Sequence, residues 1–235
     1  MVKQANVRNY LLRGMSAEDF ALLAPHLVPC TGGKGDVLFR KEEPVHDIWF
    51  LESGICSLIA ISAEGQRVES GIVGREGFAP VAVVMGSDRA PYEGIIQLPD
   101  HCWKIRLDIL LNAIDQSTTL LPFLLLYIQS LSTQIAYTAL SNAVHTVEER
   151  LARWLLMCND RIDAQDMPLT HEFLSVMLAV RRPSVTTSLH VLESNGFIRS
   201  ERGCVTIRNR AAMEEFAGDA YGPPEREYER LLGNH

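Results

Sequence analysis

The sequence predicts an α+β chain in three parts: an N-terminal antiparallel β-roll of jelly-roll type over residues 1–115, a long dimerisation helix over 116–143, and a C-terminal winged helix–turn–helix over 144–235. Three observations predict it. Between Gly32 and Arg106, short apolar runs alternate with Gly and Pro punctuation at near-regular spacing, as in doubled or closed antiparallel sheets. Residues 116–147 carry no Asp, Glu, Lys or Arg and repeat apolar residues at helical steps. Residues 169–210 hold two short helical patterns followed at once by a hairpin pattern.

Totals bound what such a chain can do. With 235 residues, 47% of them apolar, it can bury one large core or two small ones. A net charge of −7 rules out a generic polyanion binder, so any nucleic-acid site must be a local patch. The basic residues are 18 Arg against 4 Lys, with no lysine after Lys104. Arginine suits bidentate contact with phosphates and guanine edges, although a GC-rich coding bias gives the same excess. The five cysteines (Cys30, Cys56, Cys102, Cys158, Cys204) lie far apart in sequence, without metal-ligand spacing. Their odd number argues against a disulfide framework. "MVKQANVRNYLL" lacks the apolar centre of a signal peptide, so a reducing cytoplasm is expected.

The elements read in order as follows. "SAEDFALL" is a helix with Ser16 as N-cap and acids in its first turn. "DIWFLESGICSLIAIS" reads as two strands joined in a hairpin at Glu52-Ser53-Gly54, "SAEGQRVESGIV" turns at Gly65, and "YEGIIQLPDHCWKIRL" at Pro99-Asp100. In the charge-free segment Leu124, Ile128, Leu131 and Ile135 recur in steps of four, three and four. That is a heptad seam, expected to pack against a partner helix rather than to span a membrane, since Gln129, Ser130, Ser132, Thr133, Gln134 and Thr138 make the other face polar. "HTVEERLARWLLMCNDR" is an amphipathic helix with Leu151, Trp154, Leu155 and Cys158 inward and Glu148, Glu149, Arg150 and Arg153 on the charged side. "DAQDMP" reads as a linker. Two short helices, a small hairpin and a capped helix follow.

The C-terminal motif is the most informative. "LTHEFLSVML" starts with Thr170 as N-cap and buries Phe173, Leu174, Met177 and Leu178. "PSVTTSLHVLESNG" is a second helix with an inward stripe of Val185, Leu189 and Leu192, closed by Asn195-Gly196. Its outer side carries Pro183, Ser184, Thr187 and His190, with Thr186 at the edge. A small polar face of this kind fits a helix inserted in a major groove. "FIRSERGCVTIRN" then alternates as a wing around Glu201-Arg202-Gly203. Over residues 169–210 six arginines face three acids, the footprint of phosphate contact on an acidic protein. In "RRPSV", proline in the first turn costs little, and the residue before it avoids the α region, which places Arg182 at the N-cap.

The whole order resembles the Crp/Fnr family of bacterial transcription regulators. The resemblance rests on "GDVLFRKEEPVHDIWFLESGICSLI", with Gly35, Pro44 and Gly54 at turns, and more specifically on "LTHEFLSVMLAVRRPSVTTSLHVLESNGFI". It implies a cyclic-nucleotide-binding-like roll, a homodimer through the 116–143 helix, double-stranded DNA with a near-palindromic operator as partner, and contact with RNA polymerase. It implies no enzyme and no membrane. Arg182 matches a frequent guanine-reading arginine of the family, while Pro183 and Thr187 replace a glutamate and an arginine, so a different operator is expected. Arg181, Arg199 and Arg202 are expected at phosphates, with Ser184, Thr186, Thr187 and His190 facing the bases.

In the sensor half the departures dominate. The cAMP-binding members carry a Gly-Glu pair and an Arg-Ser pair; here Val81 falls at the glutamate and Pro91-Tyr92 at the Arg-Ser, with Arg89 and Glu93 near but out of register. A cyclic phosphate would lose its charge-assisted partner, so cAMP or cGMP binding is not expected. The N-terminal cysteine cluster of the oxygen-sensing members is absent, and neither an Fe–S cluster nor haem on His26 or His46 is expected. The residues expected around an unidentified effector are Val81, Arg89, Tyr92, Ser132 and Thr133, with Thr138 as a further sensing side chain. A ligand-free scaffold is the alternative. A cupin-like metal enzyme would need a close histidine pair, which the seven histidines do not offer.

Overall fold

The structure is a computed structural model and describes residues 2–98, 100–164, 166–201 and 203–233. It opens on two short helices, α1 (Tyr10–Gly14) and α2 (Ala17–Leu23). Asn9 is fully buried and ties α1 to the roll. Its side-chain oxygen accepts from the N–H groups of Leu11 and Leu12, and its amide donates to the carbonyls of Leu51 at 2.8 Å and Gly77 at 2.7 Å. Ser16 caps α2 as the sequence predicts, accepting from the Asp19 N–H at 3.0 Å.

Eight strands follow: β1 (Val28–Gly32), β2 (Val37–Phe39), β3 (Asp47–Leu51), β4 (Ile55–Ile61), β5 (Arg67–Val73), β6 (Phe78–Ala79), β7 (Glu93–Leu98) and β8 (Asp100–Arg106). They form two four-stranded antiparallel sheets, ordered β1-β8-β3-β6 and β2-β7-β4-β5. β4 and β5 pair as the expected hairpin around Gly65. The turn at Glu52-Ser53-Gly54 is not a hairpin: β3 and β4 belong to different sheets, so this turn carries the chain across the sandwich. The same holds for β7 and β8. A turn signal fixes a reversal but not the pairing partner, and Gly54 supplies the positive φ that this reversal requires.

β4 reads as a nearly unbroken apolar run because both its faces are covered. Cys56 and Leu58 point into the core shared with Phe50, Phe78 and Tyr127. Ile55 and Ile59 point the other way, into a second core made with the C-terminal half.

α3 (Leu107–Gln116) leads into α4 (Leu120–Val144), and α5 (Val147–Arg161) follows after a Thr146–Glu149 capping box. α4 is long and apolar enough to cross a membrane by composition, with a mean hydropathy of 1.3 over its most apolar window, yet Leu124, Tyr127, Ile128 and Leu131 are buried inside the chain. This corrects the expected partner seam: Leu124, Ile128 and Leu131 pack on the chain's own roll. The roll admits the helix closely, since a Cβ at Gly77 would stand 2.0 Å from the Tyr127 hydroxyl. Arg153 is also corrected. It is buried rather than on the charged side, and its guanidinium donates to Thr138 Oγ1 at 3.1 Å and to the Gln134 carbonyl.

The C-terminal half contains β9 (Asp166–Met167), α6 (His171–Met177), α7 (Arg182–Ser194), β10 (Ile198–Glu201), β11 (Cys204–Ile207), α8 (Arg210–Ala217) and α9 (Pro223–Leu232). Part of the expected linker is strand: β9 adds to β11, giving a three-stranded wing ordered β10-β11-β9. α9 leaves this unit and lies along α4, with Leu232 buried in the roll's core and the Tyr228 hydroxyl donating to the Glu76 carbonyl at 3.1 Å. Ile55, Ile59, Ile72 and Leu98 on the outer sheet face pack in one core with Leu151, Trp154, Leu155 and Met177. Each such side chain contributes about 1.5–3 kcal/mol when fully buried.

Candidate nucleic-acid interface and effector cavity

α6 and α7 form the predicted pair. Thr170 caps α6 through the Phe173 N–H at 3.2 Å. α7 buries Val185, Leu189 and Leu192 and ends as expected: Asn195 is the C-cap and Gly196, at φ +73°, lets Phe197 N–H reach the Leu192 carbonyl at 3.0 Å. Two contacts from α5 fix the pair. Arg150 donates to the Leu178 carbonyl at the turn, and the Ser188 hydroxyl donates to Glu148 at 2.8 Å. Phe173 is only half-buried, stacked edge-on to Trp154 with Lys34 over its ring.

The helix start differs by one residue from the expectation. Arg181 is the N-cap, extended at φ −72°, ψ 148°, and its carbonyl accepts from Ser184 N–H at 2.9 Å. Arg182 is therefore the first helical residue and Pro183 the second. Pro183 lacks only an N–H that would be unpaired in the first turn.

Arg181, Arg182, Pro183, Thr187 and His190 are exposed on the outer side of α7, with Ser184 and Thr186 half-buried beside them. Arg182 pairs with Glu172 at 3.1 Å, and both side chains are exposed. His171 Nδ1 lies 3.0 Å from Thr186 Oγ1. His171 and Glu172 are thus part of this surface, although sequence reasoning passed over them as ordinary α6 residues. Arg199 on the wing is exposed beside Glu201 at 2.6 Å. Arg202 lies outside the described residues. Arg210 leaves the basic patch, because Asp160, Glu214 and Tyr221 hold it against α5.

The turn between α6 and α7 holds Ala179 at φ +50°, a left-handed position that strains any residue with a Cβ by about 1–2 kcal/mol. Ala179→Gly is expected to raise the melting temperature slightly; an unchanged or lower one would show the turn to be unstrained.

The sensor residues expected around an effector are not brought together. Val81 is buried in the roll's core, Tyr92 packs against the same core with its hydroxyl pushed up to about 12 by burial, and Arg89 is exposed, donating to the Glu42 carbonyl at 2.9 Å. Ser132, Thr133 and Thr138 bond back to carbonyls of α4 at 2.8, 3.1 and 2.9 Å. The interior of the roll is filled, with Phe78 centred 5.5 Å from Phe50 and 5.3 Å from Tyr127.

A cavity of about 240 Å³ instead lies where the roll, α4, α5 and α9 meet. Glu76, Tyr127, Ser130, Gln134, Arg161 and Tyr228 are among the residues lining it. Arg161 donates to Glu76 at 2.7 Å and to the Met157 carbonyl at 2.7 Å. Burial works against its charge, but Glu76, Asp160 and Glu225 hold its pKa above the usual arginine value. Glu76 Oε2 and the Tyr127 hydroxyl are buried without a partner among the described residues, and burial keeps the Tyr127 hydroxyl protonated. Among the described residues, no group of three or more His, Cys, Asp or Glu could hold a metal.

Residues 149–216 match the Crp-like helix–turn–helix domain family. A candidate Crp/Fnr-family transcriptional regulator from Eubacterium rectale superposes with a TM-score of 0.69 at 16% identity, covering 89% of this chain and 99% of that one. The chain has the Crp/Fnr fold and carries a Crp-like helix–turn–helix. FixK2 from Bradyrhizobium japonicum matches this fold at 15% identity and a TM-score of 0.68, covering 82% of this chain and 98% of its own. The c-di-GMP-responsive regulator CLP from Xanthomonas campestris matches at 16% identity and 0.65, covering 82% and 99%. No curated protein matches the sequence. The Crp/Fnr-type architecture accounts for the roll, the α4 spine and the wing together, and a Crp-like helix–turn–helix implies DNA binding.

Proposed function

We propose that this chain is a homodimeric, sequence-specific transcriptional regulator that reads DNA with α7 and is controlled from the sensor half. The observation that carries the reading is the outer face of α7: exposed arginines at its N-terminus, then small polar side chains, on a helix fixed from behind by α5.

Dimerisation is assigned to the side of α4 that the chain leaves uncovered. Leu125, Gln129, Ser132, Ala136, Ala139 and Ala143 are exposed or nearly so at alternating steps of four and three, a heptad seam one residue out of phase with the buried one. Its small side chains allow two such helices to approach closely. A two-fold dimer then calls for half-sites about one helical turn, roughly 34 Å, apart. Ala136→Glu is expected to give a monomer by sedimentation and to abolish binding to a near-palindromic site. A variant that stays dimeric, or site selection that yields only single unspaced half-sites, would refute the assembly.

Control is assigned to a small effector in the cavity joining roll, α4, α5 and α9, because an occupant there touches every part that must move to reorient α7. A cyclic nucleotide inside the roll is not the occupant we propose, because aromatic rings fill that interior. That filled interior also favours a second reading, a ligand-free sensor acting as scaffold. Thermal-shift screening of small metabolites separates the two, since an effector stabilises by mass action.

A further inference from the structure

Two cysteines 72 positions apart in sequence are brought face to face. In the β1–β8 pair Cys30 is the register partner of Cys102. Directly opposed residues of antiparallel strands have Cα atoms about 4.5–5.5 Å apart, inside the roughly 4.4–6.8 Å window of a disulfide. Their sulfurs lie in the same step of the ladder: Cys30 Sγ is 3.5 Å from the Cys102 carbonyl and Cys102 Sγ is 3.6 Å from the Cys30 carbonyl. Neither is in a disulfide.

We propose that Cys30 and Cys102 form a reversible thiol–disulfide site, with Cys30 reacting first and Cys102 resolving. β1 is the edge strand of its sheet, so Cys30 is partly open to solvent while Cys102 is buried behind it. A surface hollow of about 250 Å³, also lined by Glu52 and His101, opens onto the pair. The other thiols do not share these features: burial pushes Cys158 well above the usual thiol range, and burial with nearby carboxylates raises Cys204. Cys30 goes the other way, held down by the hydrogen bond from Cys102 and the charge of Lys104. A thiolate, not a thiol, is the nucleophile.

The oxidant class is a hydroperoxide. The Cys30 thiolate attacks the terminal oxygen and the O–O bond breaks; the alkoxide or hydroxide released takes up the thiol's proton, and the sulfur becomes a sulfenic acid. The Cys102 sulfur then attacks that of Cys30. The S–O bond breaks, hydroxide leaves with the Cys102 proton as water, and the S–S bond forms. Two thiols are oxidised by two electrons in all and one peroxide is reduced. A small dithiol returns both sulfurs to the reduced state. Transient pairs of this kind suit a reducing compartment, where structural disulfides do not. Closing the bridge pins β1 to the strand that runs directly into α3 and α4.

The test uses the full chain, reduced, treated with equimolar hydrogen peroxide, alkylated and mapped by mass spectrometry. A Cys30–Cys102 linked peptide two hydrogens lighter than its parts, reversed by dithiothreitol, is expected, with a melting temperature several degrees higher. Cys102→Ser should stop at a sulfenic acid on Cys30 that dimedone traps, whereas Cys30→Ser should show neither the link nor dimedone on Cys102. Wild-type protein whose Cys30 and Cys102 remain fully alkylatable after peroxide, or Cys30→Ser labelled by dimedone as fast as Cys102→Ser, would overturn the proposal.

Discussion

Arg182→Ala is expected to weaken binding to a selected operator by about ten- to a hundredfold, because one bidentate arginine–guanine contact is worth about 1–3 kcal/mol. The side chain has the right placement for that role. It is exposed on the first turn of α7, the end that the proposed docking sets against a groove, and it pairs with Glu172 at 3.1 Å. Both partners of this ion pair are exposed, so the pair contributes only about 0–1 kcal/mol and can be exchanged for a base edge. The same exposure makes the variant's melting temperature stay close to wild type, which separates a reading defect from a folding defect. Glu172→Gln should tighten binding modestly by releasing the arginine. Pro183→Glu should alter sequence preference more than affinity: it adds an acceptor at the second helical position, where a negative charge is favoured by the helix dipole. Equal operator binding by wild type and Arg182→Ala, measured at matched salt, would remove α7 from base reading.

The helix–turn–helix was readable in the sequence because its determinants are local: a 3.6-residue stripe, Thr170 at one end and Asn195-Gly196 at the other. Where partners are distant, local signals ran out. Glu52-Ser53-Gly54 marks a reversal, and only the assembled sandwich shows that its two strands go to different sheets. In α4 two heptad seams interleave. The strongly apolar one, Leu124-Ile128-Leu131, was the visible one, and it is spent on the chain's own roll. Apart from Leu125 and Gln129, the seam left outside is built of serine and alanine, whose fitness for close helix packing lies in their size and not in their hydrophobicity. The opposition of Cys30 and Cys102 depends on strand register, which spacing along the chain does not encode. Buried ionisable groups escaped for the same reason. Arg153 looks like any helix-surface arginine until Gln134 and Thr138 are placed beside it.

Glu69 carries the second large expected effect. It stands on β5, buried between the roll and the C-terminal half. Trp154 Nε1 of α5 donates to it at 2.6 Å, and the Ser57 hydroxyl of β4, itself 3.7 Å from Met177 Sδ of α6, donates to its other oxygen. Arg153 and Arg161 favour its charge from further off, but burial outweighs all of these and pushes the carboxyl up to about 7. The folded chain therefore holds this proton more tightly than the unfolded chain. Its contribution to stability is fully present below the ordinary value of 4.5 and is lost as pH rises toward about 7. A displacement of that size corresponds to about 3 kcal/mol. Glu69→Gln keeps the shape and an acceptor for Trp154 while removing the titration. It should flatten the pH dependence of stability between about pH 5 and 8 and stabilise the chain at pH 8 by about 1–3 kcal/mol, read from urea unfolding across that range. An unchanged slope in Glu69→Gln would assign the pH dependence elsewhere. Trp154 of α5 meets the roll at this carboxyl and Met177 of α6 meets it at the neighbouring Ser57; if ionisation of Glu69 loosens that contact, the same variant should make operator affinity less dependent on pH.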